Sequence, residues 1–119
     1  MSGKKILHVG LASTTQMSAE HVQAKVNEGA AKAREAGHEV QLTFIDVETF
    51  PESLSRLREE LESGQWDALV IGGGVRLAPP LTPQFEQIIN TSREVAPKTK
   101  LLFQMEPGDI HEAVRRGFE

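Results

Sequence analysis

Short apolar runs alternate strictly with longer stretches of helical periodicity along this chain, and this alternation constrains the fold more than any other feature. Two apolar runs, residues 6–9 and 68–71, are nearly continuous, as expected of central strands covered on both faces. A third run, residues 40–44, alternates apolar with polar side chains and predicts a half-buried edge strand. The fourth begins at Leu101. Strands separated in this way by helices predict βαβ units and a parallel sheet.

Capping signals and apolar spacing predict four helices between and after the strands. Gly37 follows the first helical stretch and is suited to the left-handed conformation that often ends a helix. The predicted helix starts are marked by Ser18, by Thr49 with Glu52, by Thr82 with Pro83, and by Asp109 with Glu112. Each start precedes side chains that repeat at helical spacing, so each helix has one apolar face for the sheet.

Right-handed crossovers then favour one arrangement of these elements. The predicted strand order is 2-1-3-4, with two helices on each face, which makes residues 1–119 a single three-layer α/β domain of Rossmann-like or flavodoxin-like type. In this order the first and third strands are neighbours at a topological switch point. Open α/β sheets bind ligands at such a point, beyond the carboxyl ends of the strands. Residues 10–18 and 72–81 are the loops expected to meet there.

The first of these loops offers hydroxyl groups at the start of a helix. Ser13, Thr14 and Thr15 precede the predicted first helix, whose free backbone N–H groups and dipole favour an anion. Ser18 adds a fourth hydroxyl, and the order of Ser, Thr and Ser in this loop is similar to that of the phosphate loop of flavodoxins, although Gln16 stands where that pattern has glycine. The alternative is that these residues serve as ordinary turn and cap residues, which are often hydroxylated.

The second loop combines three glycines with an arginine. Gly72, Gly73 and Gly74 permit either a close approach of the backbone to a ligand or a positive φ, and Arg76 offers a planar fork for carboxylate or phosphate. The spacing matches neither a dinucleotide fingerprint nor a P-loop. We interpret this loop as a ligand-binding segment, with a structural turn and a surface arginine as the alternative.

Two carboxylates and one histidine complete the candidate residues. Glu106 and Asp46 follow the fourth and second predicted strands, and Glu106 is the candidate catalytic acid or base. Asp46 is expected to be solvated, because its strand lies at the edge of the sheet. His8 lies within the first strand and is expected to be a buried, hydrogen-bonded core residue.

Composition argues against several classes of function. Thirteen Lys and Arg residues are scattered among seventeen acidic residues, whereas nucleic-acid binding needs a clustered basic face. There is no cysteine, and the histidines lack ligand spacing, so we expect no thiolate nucleophile and no metal site. No apolar run is long enough for a signal peptide or a membrane span. We therefore expect a cytoplasmic protein with no nucleic-acid or membrane partner.

A flavin cofactor is also disfavoured. Flavodoxins enclose FMN between aromatic side chains, but this chain has no tyrosine, and its single tryptophan, Trp66, precedes the third predicted strand. That position is at the opposite end of the sheet from the predicted ligand site. We therefore expect no cofactor.

The second half of the chain resembles a known family. The resemblance is carried by residues 71–77, Phe85-Glu86, Ile89-Asn90, Ala96-Pro97, Phe103, Pro107, Asp109 and residues 112–114. This pattern is similar to that of a family of uncharacterised, stand-alone, single-domain α/β proteins from bacteria and fungi, to which no activity is assigned. In that family the fourth strand ends in Phe-Asn-x-Asn-Pro, whereas residues 103–107 here are Phe-Gln-Met-Glu-Pro. The resemblance implies the same fold and importance for Gly72, Gly74, Arg76, Pro107 and Asp109.

Two functions are therefore predicted as alternatives. The first is binding or catalysis of a small anionic metabolite by Arg76, the glycine loop and the first helix N-terminus. The second is a non-catalytic interaction module, because residues 75–81 form an apolar stretch stiffened by Pro79 and Pro80. Such a stretch suits a homodimer interface as well as a lid over a site.

Overall fold

The computed structural model describes residues 3–12, 18–106 and 108–118, and it confirms the predicted sheet. The strands are β1 (Lys5–Leu11), β2 (Glu39–Ile45), β3 (Ala68–Ile71) and β4 (Lys100–Phe103). They pair in parallel in the order β2-β1-β3-β4, with Val9 opposite Ile71 and Ile71 opposite Phe103. The continuous apolar run of β3 is fully buried because the strand is central and covered on both faces.

Helices cover both faces of this sheet, as the alternation predicts. They are α1 (Ala19–Glu35), α2 (Phe50–Glu62), the single turn α3 (Gly73–Arg76), α4 (Thr82–Val95) and α5 (Ile110–Phe118). Short 3₁₀ helices lie at Val47–Thr49 and Pro79–Leu81. Within the described part of the chain, no helix has both the length and the apolar character needed to cross a bilayer.

Alternation along each strand divides the core into two layers. Ile6 and Val70 point to one face and pack beneath α1 and α5, where Val26, Ala30 and Ile110 are buried. The intervening side chains point to the other face and pack beneath α2 and α4; this layer includes Leu7, Val9, Leu57, Leu61, Leu69, Ile71 and Ile88. The prediction of two longer helices on each face is therefore confirmed, and this layering decides which side chains can meet at the strand ends.

The first helix begins and ends as its sequence predicts. The side chain of Ser18 accepts a hydrogen bond from the backbone N–H of His21, 3.2 Å away, and so caps α1. Gly37 has a φ of +100°, a conformation that side chains with a Cβ rarely adopt. The prediction of this helix is confirmed at both ends.

The other predicted caps differ from the structure. Thr49 makes no side-chain cap, and Asp46 instead caps the preceding 3₁₀ helix by accepting from the N–H of Glu48 at 3.0 Å. Thr82 lies inside α4 and donates its hydroxyl proton to the carbonyl of Pro79, 2.8 Å away. Both predictions failed because a short 3₁₀ helix runs directly into the α-helix, so the chain already turns before the predicted start.

Arginines on neighbouring helices contact both edges of the sheet. Arg34 and Arg56 donate to outward-facing carbonyls of β2, Arg116 donates to one of β4, and Arg93 donates to the residue before β4. The accepting carbonyls are those of Val40 at 2.7 Å, Phe44 at 2.6 Å, Thr99 at 3.3 Å and Phe103 at 2.6 Å. Each edge strand thus has at least one outward-facing carbonyl bonded to an arginine of its own chain.

Candidate functional site

The carboxyl ends of β1, β3 and β4 lie at one level. Beyond the last paired residues, the N–H of Gly72 donates to the carbonyl of Val9 at 2.9 Å, and the N–H of Gln104 donates to that of Ile71 at 3.0 Å. These bonds bring Gly10, Gly72 and Gln104 side by side across three strands. By alternation from Ile6 and Val70, the side chain of Gln104 belongs to the face covered by α1 and α5.

The side chain of Gln104 crosses the end of β3 to reach β1. It is fully buried, and its Oε1 is hydrogen-bonded to Nε2 of His8. Neither strand end on this path has a side chain to obstruct it. A Cβ at Gly72 would lie 3.7 Å from Oε1 of Gln104, and a Cβ at Gly10 would lie 3.0 Å from Cε1 of His8. The two glycines therefore leave the space that this buried contact occupies.

The loop after β4 fixes the orientation of the Gln104 amide. Its Nε2 donates to the carbonyl of Glu106 and to Oδ1 of Asp109, both at 3.1 Å. The other carboxylate oxygen of Asp109 accepts from the backbone N–H of Met105 at 3.2 Å. Because the amide nitrogen faces these acceptors, the amide oxygen faces His8, and we assign the hydrogen of the imidazole to Nε2.

His8 is held neutral by this environment. The ring is 1% exposed, and burial lowers its pKa from 6.5 to about 4, while the hydrogen bond to Gln104 and the charge of Asp109 oppose that shift. The prediction of a buried, hydrogen-bonded core histidine is confirmed. Its other nitrogen, Nδ1, is buried and has no hydrogen-bond partner within the described part of the chain.

Arg76, the last residue of α3, packs directly on the end of β4. Its Nη2 donates to the backbone carbonyl of Gln104 at 2.9 Å, and the centre of its guanidinium lies 5.6 Å from the ring centroid of Phe103. The guanidinium is half-buried, and its Nε makes no hydrogen bond to any described residue. Arg76 thus braces α3 against the sheet, a structural role that its loop position does not predict.

The glycine segment is helical and has no unusual backbone. Residues 73–76 form α3 and residues 79–81 a 3₁₀ helix, so the expected open loop at 72–81 is wrong. The alternative of a positive φ is wrong for Gly72, Gly73 and Gly74, since among the described residues only Gly37 has one. Gly73 starts α3, where a Cβ would lie 3.3 Å from the carbonyl oxygen of Gln104. Gly74 is exposed on α3.

The remaining predicted residues lie apart from this contact or outside the described residues. Glu106 is exposed at the end of β4, and its backbone carbonyl, not its carboxylate, accepts from Gln104. Asp46 is exposed and caps a 3₁₀ helix at the edge of the sheet. Ser13, Thr14 and Thr15 lie outside the described residues. The structure therefore brings Gly72, Gly73 and Arg76 together and leaves the role of Glu106 a prediction.

A close approach of backbones positions the loop that carries Asp109. A Cβ at Gly29, in the middle of α1, would lie 3.0 Å from the carbonyl oxygen of Gly108. Any side chain at position 29 would push the helix away from this loop, and Asp109 would move with it. The capping box predicted for Asp109 and Glu112 is not formed. The carboxylate of Asp109 instead bonds to Gln104, and Glu112 pairs with Arg115 at 3.2 Å.

Gln104 is the buried polar residue at the strand ends whose contacts the sequence analysis did not predict. A signal was present, because Gln104 continues the alternation of β4 into the buried layer, where a polar side chain needs partners. Its partners, His8 and Asp109, are 96 and 5 residues away in the chain. Local sequence patterns do not reveal a contact between residues so far apart in the chain as Gln104 and His8. The contact is therefore seen only in the structure.

Comparison with known proteins does not assign this chain to a family. No protein-family model matches the chain, and no curated protein sequence matches it either. The resemblance to stand-alone α/β proteins stays a prediction. No group of three or more His, Asp or Glu side chains suited to a metal ion occurs among residues 3–12, 18–106 and 108–118. Function must therefore be argued from the strand ends themselves.

We expect Gly72→Val to destabilise the protein by about 2–4 kcal/mol, because its methyl groups would occupy the path of the Gln104 side chain and leave two buried polar groups unpaired. Gly72→Ala is the matched control, since its Cβ would make ordinary contacts of 3.4 Å with the carbonyl of Val9 and 3.7 Å with Oε1 of Gln104. Urea unfolding measures both variants. Equal free energies of unfolding would contradict the crossing of Gln104 over β3.

The lowered pKa of His8 predicts a specific loss of stability in acid. The unfolded chain binds a proton near pH 6.5, whereas the folded chain holds the ring neutral down to about 4. Stability due to the neutral ring is therefore present above pH 6.5 and lost as the pH falls to 4, by about 3 kcal/mol in total.

The variant His8→Gln removes this titration and shares every other titrating group with the native chain. Urea unfolding at roughly pH 7 and pH 4 should show that the native chain loses about 3 kcal/mol more than the variant between the two conditions. Parallel losses in the two proteins would mean that His8 titrates as it does in the unfolded state.

Proposed function

We propose that this chain binds a small anionic ligand, a carboxylate or a phosphate, at the carboxyl end of the sheet beside the switch point between β1 and β3. The observation that carries the proposal is the position of Arg76. Its half-buried guanidinium is bonded to the carbonyl that follows β4, and the single turn α3 that carries it begins directly after β3 and packs against β1. Open α/β sheets place their ligands at this point in the topology.

The geometry of Arg76 supports an anion as the ligand. A guanidinium has five N–H donors in a fixed plane, and the contact to Gln104 uses Nη2 and leaves Nη1 on the other arm of the fork. Stacking on Phe103 and the bond to β4 hold the plane in one orientation, so little side-chain entropy is lost when an anion binds. Partial burial also strengthens the attraction compared with an arginine fully in water.

The glycines support a close approach of the ligand to the backbone. Gly10 and Gly72 have no side chains near the two strand ends that flank the switch point, and buried hydrogen bonds hold His8 and Gln104 in place beneath them. Glu106, exposed at the adjacent strand end, is the candidate acid or base should the bound ligand also react. Binding is the core of the proposal, and catalysis by Glu106 is its extension.

A thermal-shift series tests the role of Arg76. Phosphate, acetate and propionate, each added at constant ionic strength against chloride, should raise the Tm of the native chain if one of them occupies the site. We expect Arg76→Ala to abolish that rise. Arg58→Ala is the matched control, because Arg58 is an exposed arginine paired with Glu94 at 2.7 Å on the outer helices.

The arginine variants need separate baselines. Arg76→Ala should itself cost about 1–2 kcal/mol, because it removes a hydrogen bond to β4 and the contact with Phe103. Each ligand-induced shift is therefore measured against the same variant without added anion. A shift that survives in Arg76→Ala but disappears in Arg58→Ala would refute the proposed site.

Self-association is the second candidate function, and the structure narrows where it could occur. The predicted interface at residues 75–81 is not uniformly exposed, since Val75 is buried and Leu81 packs against the core. Leu77 is 60% exposed and Met105 is 75% exposed. A Cβ at Gly73 would lie 3.4 Å from both Cδ1 of Leu77 and the carbonyl oxygen of Met105, so these two residues are neighbours. This exposed pair is the observation that favours a homodimer contact.

If the chain forms a dimer through this pair, Leu77→Glu combined with Met105→Glu should place like charges across a two-fold contact and yield monomers. Light scattering coupled to size-exclusion chromatography measures the mass directly. Val47→Glu is the control, because Val47 is also exposed, at 39%, but follows β2, at the other edge of the sheet from β4. A native chain that is monomeric at high concentration would eliminate this candidate.

A further inference from the structure

The exposed pair, Leu77 and Met105, adjoins the hydrogen bond that holds Arg76 at the end of β4. Leu77 follows Arg76 directly in the chain, and Met105 follows Gln104, whose carbonyl accepts from Nη2 of Arg76 at 2.9 Å. The same carbonyl oxygen lies 3.3 Å from a Cβ placed at Gly73, and Cδ1 of Leu77 lies 3.4 Å from that point. A guanidinium and two exposed apolar side chains are therefore neighbours at this strand end.

The segment around Arg76 contains one charge and is otherwise apolar or glycine. Residues 72–81 include no other charged side chain, whereas 25% of the whole chain is charged. Pro79 and Pro80 add further exposed apolar groups to this segment. The adjacent acid, Glu106, is exposed, so water and salt screen its charge. A single cation among apolar groups is complementary to a ligand that has one anionic group and an apolar remainder.

Hydrogen bonds within the segment hold its backbone in place. The N–H of Leu77 donates to the carbonyl of Gly73 at 2.8 Å, and the N–H of Leu81 donates to that of Ala78 at 2.9 Å. The two prolines restrict the backbone further by fixing φ. A surface with a backbone that is already ordered loses little conformational entropy when a ligand packs against it.

We infer that the anion bound by Arg76 carries an aliphatic tail that packs on Leu77 and Met105, so that the preferred ligands are short-chain aliphatic carboxylates or alkyl phosphates. This inference rests on the proposed function, because it starts from an anion at Arg76 and adds the group that the anion carries. The guanidinium fixes the head group, and removal of the tail and the exposed pair from water adds affinity. Longer tails should therefore bind more tightly.

A homologous series tests this inference on the native chain. The probes are acetate, butanoate and hexanoate, and in parallel methyl phosphate and butyl phosphate, each titrated at constant ionic strength by NMR. Complete burial of one CH₂ group strengthens binding about fourfold, and we expect about twofold here because an open surface covers one side of the tail. Hexanoate, with four more CH₂ groups, should thus bind about 15-fold more tightly than acetate.

Substitutions at the exposed pair locate the tail. Leu77→Ser combined with Met105→Ser leaves the core intact because both side chains are exposed, and this variant should bind hexanoate no more tightly than acetate. Val47→Ser is the matched control, since Val47 is exposed beyond β2 at the other edge of the sheet, and it should retain the dependence on tail length. Arg76→Ala should lose binding of the whole series.

The methyl resonance of Met105 gives a direct readout of contact with the tail. Met105→Leu identifies this resonance among those of the three methionines. It should shift when hexanoate is added to the native chain and stay in place when acetate is added, because acetate has no tail to reach it.

The outcomes distinguish this inference from the proposed function. If acetate and hexanoate bind the native chain equally tightly, the inference about the tail is overturned while anion binding stands. If no member of either series binds, both are overturned for these ligand classes. A dependence on tail length that persists in the double serine variant or in Arg76→Ala would place the tail elsewhere and overturn the inference. A native dimer that Leu77→Glu with Met105→Glu dissociates would do the same, because a second copy would then cover the exposed pair.

Discussion

The hydrogen bond between the side chains of Gln104 and His8 links two strands, β4 and β1, that are not neighbours in the sheet. It runs from the end of β4 across β3 to β1, and the amide that makes it also holds the loop carrying Asp109. The backbone of the same residue holds Arg76 and with it α3. The bond between Gln104 and His8 is buried, so losing either partner there is costly.

The buried contact between Gln104 and His8 explains why glycine occurs at several nearby positions. Gly10 leaves the space that the imidazole fills, a side chain larger than alanine at position 72 would obstruct the amide, and Gly29 is needed because α1 approaches the backbone at Gly108. A role in packing and a role in binding need not compete at these positions. The network supports the surface on which a ligand would lie, and rigidity beneath a site lowers the entropy lost on binding.

The fold could be predicted from the sequence because its signals are local. The apolar runs at 6–9 and 68–71, the spacing of Val22 and Val26, and the glycine at position 37 each depend on a few neighbouring residues. The start of α2 at Thr49 is confirmed, but the side-chain caps predicted at Thr49 and Thr82 are wrong, because a 3₁₀ turn precedes each helix and its sequence resembles a helix cap. The site was harder, because Arg76 and Gln104 acquire their roles from partners that lie 28 and 96 residues away.

The arginines along β2 and β4 have a consequence for how copies of this chain can meet. A free strand edge templates the addition of another strand, which is the first step toward domain swapping and amyloid-type stacking. Here the carbonyls of Val40, Phe44 and Phe103 are already bonded to guanidinium groups of the same chain. Growth of the sheet from one molecule into the next would have to break these bonds first. Strand addition to the native sheet is therefore opposed at these positions of both edges.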